Sequence, residues 1–72
     1  MKLGKYQHFK GKFYKVINIA RDSKTLKEVV IYQALYNSPE FGNNALWIRD
    51  KKEFFSDVVV DNKKIPRFKF IK

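Results

Sequence analysis

The longest run of β-forming residues spans residues 28–36 and is apolar on both of its alternating faces. Its two faces carry Val29, Ile31 and Leu35 on one side and Val30, Tyr32, Ala34 and Tyr36 on the other. A strand with two apolar faces is typical of the interior of a curled sheet, because a strand at a wet edge keeps one face polar. We therefore predict that residues 28–36 form an internal strand around which shorter strands are arranged.

Five shorter strands are predicted from the alternation of apolar and polar positions. They cover residues 4–9, 13–21, 46–49, 58–60 and 65–71. In the second of them, strict alternation separates two faces. One face holds Tyr14, Val16 and Ala20, and the other holds Phe13, Ile17 and Ile19.

Turn-forming residues separate these strands. Gly11 permits a tight turn after the first strand, and residues 22–27 form a polar connection of hairpin length. Residues 37–44 are the densest cluster of turn formers and predict the longest loop. Residues 61–64 predict the turn of a closing hairpin, in which Pro66 must lie at an edge or at the strand's entry because it has no N–H to donate.

One short helical element is expected near the only tryptophan-containing strand. Asp50 and Glu53 have the spacing of a capping box, in which an N-cap side chain and a residue three positions later satisfy each other's backbone N–H groups. We predict a single helical turn over residues 51–55, because β-branched residues resume at Val58.

These elements predict an all-β fold. Five or six short strands with tight turns and almost no helix indicate a small SH3-like barrel or a strongly bent antiparallel sheet with one helical turn. The sequence has no repeats, no low-complexity segment and no linker, so we predict one small β-barrel domain over residues 1–72.

Composition limits the ways in which this fold is stabilised. The chain has 72 residues, of which 17% are aromatic, and it has no cysteine. Disulfides and cysteine zinc sites are therefore excluded, and packing of rings must supply the core. The sequence shows neither an apolar signal segment nor a run long enough to cross a membrane, so we expect a cytoplasmic protein that does not enter membranes.

The charge points to the kind of partner. Sixteen Lys and Arg residues against seven Asp and Glu give a net charge of +9, which attracts polyanions. We expect nucleic acid or an acidic protein as the partner, and a monomer or weak homodimer. The alternative is a basic surface that only solubilises the protein, since thirteen of the sixteen cations are Lys and planar recognition of phosphate favours Arg.

Enzyme signatures are mostly missing from the sequence, and although paired carboxylates for hydrolysis remain open, nothing favours them. The three glycines are scattered and form no phosphate-binding loop, and no serine lies in a nucleophile motif that could act with His8, the only histidine. The acidic residues match no metal-ligand spacing. The sequence therefore favours a binding module without cofactor or metal over an enzyme.

Two positions have competing interpretations. His8 either lines a cleft with Tyr6 and Trp47 or is a strand histidine bonded to backbone or to a tyrosine, and a lone histidine favours the second. Trp47 and Arg49 point to one face, where the guanidinium would stack beside the indole or pair with a nearby carboxylate. We favour Trp47 as a plug of the core, because a short chain has few large side chains.

The four tyrosines also have two interpretations. They are Tyr6, Tyr14, Tyr32 and Tyr36. Rings on the strands of a small basic barrel would suit a platform on which nucleobases stack. The same rings would equally suit the core of a small barrel.

Several short motifs together resemble a known family. They are Gly-Lys-Tyr-Gln-His-Phe-Lys-Gly at 4–11, Tyr-Lys-Val at 14–16, Ala-Arg-Asp-Ser-Lys-Thr at 20–25, Val-Ile-Tyr-Gln-Ala-Leu-Tyr at 30–36 and Leu-Trp-Ile-Arg at 46–49, followed by Phe54. In order and spacing they resemble the bacterial domain of unknown function 1653 family, from Gly4 to about Ile71. The resemblance implies a shared fold and a shared surface, without an established activity. It assigns to that surface Tyr6, His8, Lys10, Ser23, Thr25, Tyr32, Tyr36, Trp47 and Arg49.

The chain departs from the family pattern at three places. A His-Ser-Glu-Thr segment of the family is Asp-Ser-Lys-Thr here, at residues 22–25, which removes a histidine and reverses a charge. The proline that follows the Trp-Val-Arg element is Asp50, and the methionine is Glu53. A catalytic role for the turn histidine is therefore not open to this chain.

Three functions follow from these observations, in order of preference. The first is a small basic module that binds nucleic acid or another polyanion through Lys, Arg and exposed rings. The alternative is a module that recognises a peptide or an acidic protein along an aromatic groove or a strand edge. A site for a small molecule or a reaction around His8, Tyr6 and Arg49 comes third.

Overall fold

The computed structural model describes residues 2–72, and strands make up most of them. The elements follow in the order β1 (Gly4–His8), β2 (Phe13–Arg21), β3 (Glu28–Ala34), β4 (Asn37–Ser38), β5 (Gly42–Asn43), β6 (Leu46–Asp50), α1 (Lys51–Phe54), β7 (Asp57–Val60), β8 (Lys63–Pro66) and β9 (Phe68–Phe70). Among residues 2–72, no helix is long and apolar enough to cross a bilayer.

Five of the strands form one antiparallel sheet in the order β6-β3-β2-β1-β9. Strand β3 pairs with β2 on one side and β6 on the other, which confirms the predicted internal strand, although β3 ends at Ala34 and does not reach Tyr36. Strands β4 and β5 form one two-stranded ribbon, and β7 and β8 form another. The all-β prediction is confirmed.

The sheet does not close into a barrel. Its edge strands, β6 and β9, lie at opposite ends of the strand order, and in residues 2–72 they do not pair with each other. The chain between these edges passes through α1, which contacts β3 and β6 and brings Phe54 into the core. Of the two predicted architectures, the antiparallel sheet with one helical turn is observed, and the SH3-like barrel is not confirmed because the sheet is open.

Aromatic rings fill the core on the covered face of the sheet. The buried hydrophobic residues are Tyr6, Val16, Val30, Tyr32, Ala34, Phe54 and Phe68. Phe54 and Phe68 stack with their ring centres 4.0 Å apart. Tyr6 and Tyr32 meet the Phe54 ring edge-on, at 5.5 and 5.4 Å. We call this side the inner face of the sheet and the opposite side the outer face.

A bulge in β2 changes which side chains face the core. Val16 lies opposite Tyr32, but Asn18 lies opposite the next residue, Ile31, so Ile17 is the extra residue. After the bulge Ile19 packs against the core on the inner face, whereas Ala20 moves to the other face. The strict alternation predicted for residues 13–21 is wrong beyond Val16 for this reason.

The C-terminal segment is split at Arg67. Asp61 and Asn62 both have positive φ and form the turn between β7 and β8. The Arg67 N–H donates to the carbonyl of Ser56 at 3.0 Å, whereas the Arg67 carbonyl accepts from the N–H of Phe9 at 2.9 Å. The backbone thus changes partner at Arg67, and β9 joins β1 at the edge of the main sheet. The single strand predicted over residues 65–71 is therefore two strands.

The loop and the helix each differ in detail from the prediction. The predicted loop 37–44 contains the β4–β5 ribbon. Asp50 is the N-cap of α1, and its carboxylate accepts from the N–H of Lys52 at 2.9 Å. The reciprocal half of the capping box is missing, because the Glu53 carboxylate pairs with Arg49.

We expect Phe54→Ala to lower the free energy of unfolding by about 3–5 kcal/mol, because it removes a stacked ring from the centre of the core and leaves a cavity. The neighbouring Phe55 is 42% exposed, so Phe55→Ala should cost only about 1 kcal/mol. Urea denaturation followed by the fluorescence of Trp47 measures both variants. Equal losses would contradict the assignment of Phe54 as the centre of the core.

Candidate functional site

Five side chains on the inner face surround a cleft of about 200 Å³, which we call the tyrosine cleft. They are Tyr14, Tyr32, Tyr36, Trp47 and Arg49. Strand pairing brings them together: Tyr32 lies opposite Trp47 on β6, and Tyr14 lies opposite the small side chain of Ala34. Four of the nine predicted surface residues therefore meet at one place.

The hydroxyl groups of Tyr14 and Tyr36 are hydrogen-bonded to each other at 2.6 Å. Burial of Tyr14, and next its hydrogen bond to Tyr36, raise the pKa of the Tyr14 phenol well above its ordinary value. The Tyr14 phenol is therefore neutral at pH 7. Only one of the two hydroxyl protons forms this hydrogen bond, so the other remains available to donate elsewhere.

Arg49 is held by two side chains at the edge of the cleft. Its Nε donates to the Tyr32 hydroxyl at 3.4 Å, and its Nη1 donates to Glu53 at 2.5 Å. The hydrogen bond to Tyr32 is the main cause that raises the pKa of Arg49. The guanidinium carbon lies 5.8 Å from the ring centre of Phe68. Of the two predicted arrangements, pairing with a carboxylate is the one observed.

Trp47 lines the tyrosine cleft and does not plug the core. It is half-buried, and the central position of the core belongs to Phe54. The indole meets the ring of Phe41 edge-on at 5.0 Å. Because Phe41 lies between β4 and β5, this ribbon borders the cleft. Trp47 also packs against the buried cluster, so it lies at the boundary of the core and does not fill its centre.

Tyr6 belongs to the core and lies outside the tyrosine cleft. The side chain is buried against Phe54 and Phe70, and its hydroxyl donates to the carbonyl of Lys2 at 2.7 Å. Burial raises the pKa of the Tyr6 phenol. Tyr6 therefore cannot form part of an exposed stacking platform.

His8 is a half-buried strand histidine bonded to backbone. Its Nδ1 accepts from the N–H of Lys10 at 3.2 Å, and its ring packs 4.9 Å from that of Phe68. Burial, and then the positive charges of Arg49, Lys10 and Arg67, lower the pKa of His8. The imidazole is therefore neutral at pH 7. Lys10 itself is exposed in the turn after β1.

Ser23 and Thr25 lie in the β2–β3 turn, away from the tyrosine cleft. The Asp22 carboxylate accepts from the N–H groups of Lys24 and Thr25, and the Thr25 hydroxyl accepts from the N–H of Lys27. These hydrogen bonds build the turn locally. The structure thus gives Thr25 a role in the turn, and it does not join either residue to the other predicted positions.

A second candidate surface lies on the outer face, and we call it the lysine face. It consists of Lys5, Lys15 and Lys69, all exposed. Lys5 lies directly opposite Lys15 across β1 and β2, and Lys69 lies on β9, on the other side of β1. The Lys5 Nζ is 4.4 Å from the ring centre of Phe13. Like charges directly opposite each other destabilise a sheet.

The three lysines of the lysine face form no ion pair in the part of the chain that the structure describes. Within residues 2–72, the ion pairs are Arg49–Glu53 and Lys51–Glu28, and both involve residues at the other edge of the sheet. The lysine face was not predicted, because it depends on which strands pair and in what register. The only indication of this face in the sequence is that the polar residues Lys5 and Gln7 lie on either side of Tyr6, as on the polar face of a strand.

A wider groove of about 570 Å³ lies beside the β2–β3 turn and the start of α1. Its charged groups are largely occupied: Lys51 pairs with Glu28, Arg21 donates to the carbonyl of Leu26, and Asp50 caps α1. In residues 2–72, no three His, Asp or Glu side chains come together as metal ligands would. The two remaining charged side chains of this groove, Lys27 and Lys52, form no ion pair within residues 2–72.

Comparison with known proteins gives a family and a fold. The model of a family described as a protein of unknown function (DUF1653) matches residues 4–70. The structure is similar to the crystal structure of a DUF1653 protein from Bordetella bronchiseptica, with 27% sequence identity and a TM-score of 0.87. The match covers 99% of this chain and 87% of that chain. Among curated proteins, none matches this chain.

The raised pKa of Tyr14 predicts a loss of stability at alkaline pH. Tyrosines of the unfolded chain ionise near pH 10, whereas Tyr14 in the folded state keeps its proton. Stability from this group is therefore complete below about pH 10 and is lost as the pH rises above it. In urea denaturation between pH 7 and 11, Tyr14→Phe should show a smaller alkaline decline than the unsubstituted protein. Identical declines would contradict the burial of this phenol.

Proposed function

We propose that this chain, which belongs to the DUF1653 family of proteins of unknown function, is a small binding module that holds the phosphate backbone of a nucleic acid on its lysine face. The observation that carries the proposal is the direct opposition of Lys5 and Lys15, neither of which forms an ion pair within residues 2–72. A bound phosphate between two ammonium groups would remove the repulsion that the folded sheet otherwise contains.

The dimensions of the lysine face suit an extended anionic chain. Neighbouring strands lie about 4.8 Å apart, so the lysines on β2, β1 and β9 span about 10 Å across the sheet. A nucleic acid strand places several phosphates over that distance. A ligand with a single negative charge could neutralise only one of these lysines.

Groups beside the lysines support the same ligand. The Phe13 ring is partly exposed next to Lys5, and Gln7 lies between Phe13 and Lys69 in the strand register. Aromatic rings next to cations are what proteins use to bind single strands without reading their sequence. The net charge of +9 would speed the encounter with any nucleic acid.

The test replaces the opposed lysines and follows salt dependence. In Lys5→Gln/Lys15→Gln, two phosphate contacts are lost, so binding to a labelled single-stranded oligonucleotide should weaken. The slope of log K against log salt should become shallower by about 1.4. Fluorescence anisotropy at several salt concentrations, with single- and double-stranded DNA and RNA, measures both quantities.

Two further variants make the result specific. Lys63→Gln/Lys64→Gln removes the same charge from β8, outside the lysine face, and should leave affinity and slope nearly unchanged. Lys15→Glu places opposite charges across β1 and β2, so it should raise the free energy of unfolding by about 0.5 kcal/mol while weakening binding. Equal losses in the two double variants, or no binding by the unsubstituted protein at low salt, would overturn the proposal.

A second candidate function is recognition of an extended peptide by addition of a strand. Strand β6 is an edge of the main sheet, and its Leu46 and Ile48 are 64% and 68% exposed on the outer face. Exposed apolar edge strands accept further strands, either from a peptide or from a second copy of the chain.

The edge strand is tested by one substitution and a control of equal exposure. Ile48→Lys should abolish capture of proteins from a nuclease-treated lysate, because a charge on the edge blocks strand addition. Val59→Lys, which changes an equally exposed residue on β7, should leave capture unchanged. Capture that disappears on nuclease treatment alone would contradict the peptide function and favour nucleic acid.

A further inference from the structure

The five residues that line the tyrosine cleft offer hydrogen-bond donors, and none of the five is a carboxylate. Tyr32 is 5% exposed, and its hydroxyl accepts from Arg49, while its own proton has no acceptor in residues 2–72. The hydroxyl pair of Tyr14 and Tyr36 has one proton to spare. Arg49 uses two of its five N–H groups on Tyr32 and Glu53. A ligand that satisfies these groups must therefore be an acceptor.

The charge in the cleft fits an anion with a single negative charge. Arg49 is the one cation among the five lining residues, and Glu53 already compensates part of its charge. A second cation, Lys12, lies beside the cleft with its Nζ 4.2 Å from the ring centre of Tyr36, but it is not one of the lining residues. A carboxylate carries one charge on two oxygens, which matches a guanidinium edge and neighbouring hydroxyls.

The walls of the cleft suit a small planar molecule. The Trp47 indole and three phenol rings supply apolar surface beside the donors. A volume of about 200 Å³ is below the range of about 300–1,000 Å³ that holds drug-sized ligands. The cleft therefore has room for one planar acid of the size of benzoate.

We propose that the tyrosine cleft is a binding site for a small aromatic carboxylate, whose anionic group accepts from Arg49 and Tyr32 while its ring packs beside Trp47. The site is independent of the lysine face, because the two lie on opposite faces of the sheet.

Trp47 reports on this site directly, because it is the only tryptophan of the chain. Benzoate should change the Trp47 fluorescence and the NMR signal of its indole N–H in a saturable manner. Benzamide has the same shape without the charge and should bind at least tenfold more weakly. Inorganic phosphate should not compete, because it has no ring to pack beside the indole.

Substitutions then identify the groups that hold the carboxylate. Tyr32→Phe and Arg49→Gln each remove a hydrogen bond to a charged group, so each should weaken benzoate binding about 10- to 100-fold. Tyr6→Phe removes a hydroxyl that bonds to the Lys2 carbonyl outside the cleft, and it should leave affinity unchanged. The far-ultraviolet circular dichroism spectrum of each variant checks that the sheet is intact.

Several results would overturn the carboxylate site. They are the absence of a saturable Trp47 signal at millimolar benzoate, equal binding of benzamide, displacement of benzoate by phosphate, and full affinity in Tyr32→Phe. Lys5→Gln/Lys15→Gln should bind benzoate normally. Failure of this site and failure of the nucleic acid proposal are therefore distinguishable.

Discussion

The stack of Phe54 on Phe68 is the contact on which the rest of the structure depends. Phe54 comes from α1 and Phe68 from β9, so their contact joins two late segments to the inner face of the sheet. Tyr32 meets both rings edge-on, which connects the stack to the internal strand β3. A chain of 72 residues without disulfides has few other means of covering a sheet.

Because this stack lies on the inner face, the core covers that face of the sheet and not the outer face. The two faces therefore carry different candidate surfaces. On the inner face the rings crowd together, so the hydroxyls of Tyr14, Tyr32 and Tyr36 gather at the rim of the core and form a cleft. On the outer face, Lys5, Phe13, Lys15, Leu46 and Ile48 are exposed. Lysines can remain there without a carboxylate partner because water solvates them fully, and an exposed sheet face of this kind is available to a large ligand.

The sequence was informative about strands and less informative about how they combine. The internal strand and β2 were predicted because their apolar runs are long, and the helical turn was predicted from Asp50. The bulge at Ile17 and the change of partner at Arg67 are set by tertiary hydrogen bonds, which leave no mark in the local pattern. Closure of the sheet also depends on which edges meet, and the chain order alone does not determine that.

The candidate site, like the fold, was predicted only in part. Tyr32, Tyr36, Trp47 and Arg49 were predicted as one surface and meet in one cleft, whereas their binding role stays a prediction. The lysine face requires the β1–β2 register, which places Lys5 opposite Lys15. Composition reports only the number of cations and cannot report that two of them oppose each other.

A two-dimensional amide NMR spectrum, recorded during titration with a short oligonucleotide, tests the central claim that the uncovered face of the sheet is the binding surface. We predict that the largest shifts occur at the amides of Lys5, Lys15 and Lys69, with little change at the indole of Trp47. Shifts that spread evenly over all lysines, or that concentrate in the β7–β8 ribbon, would contradict it.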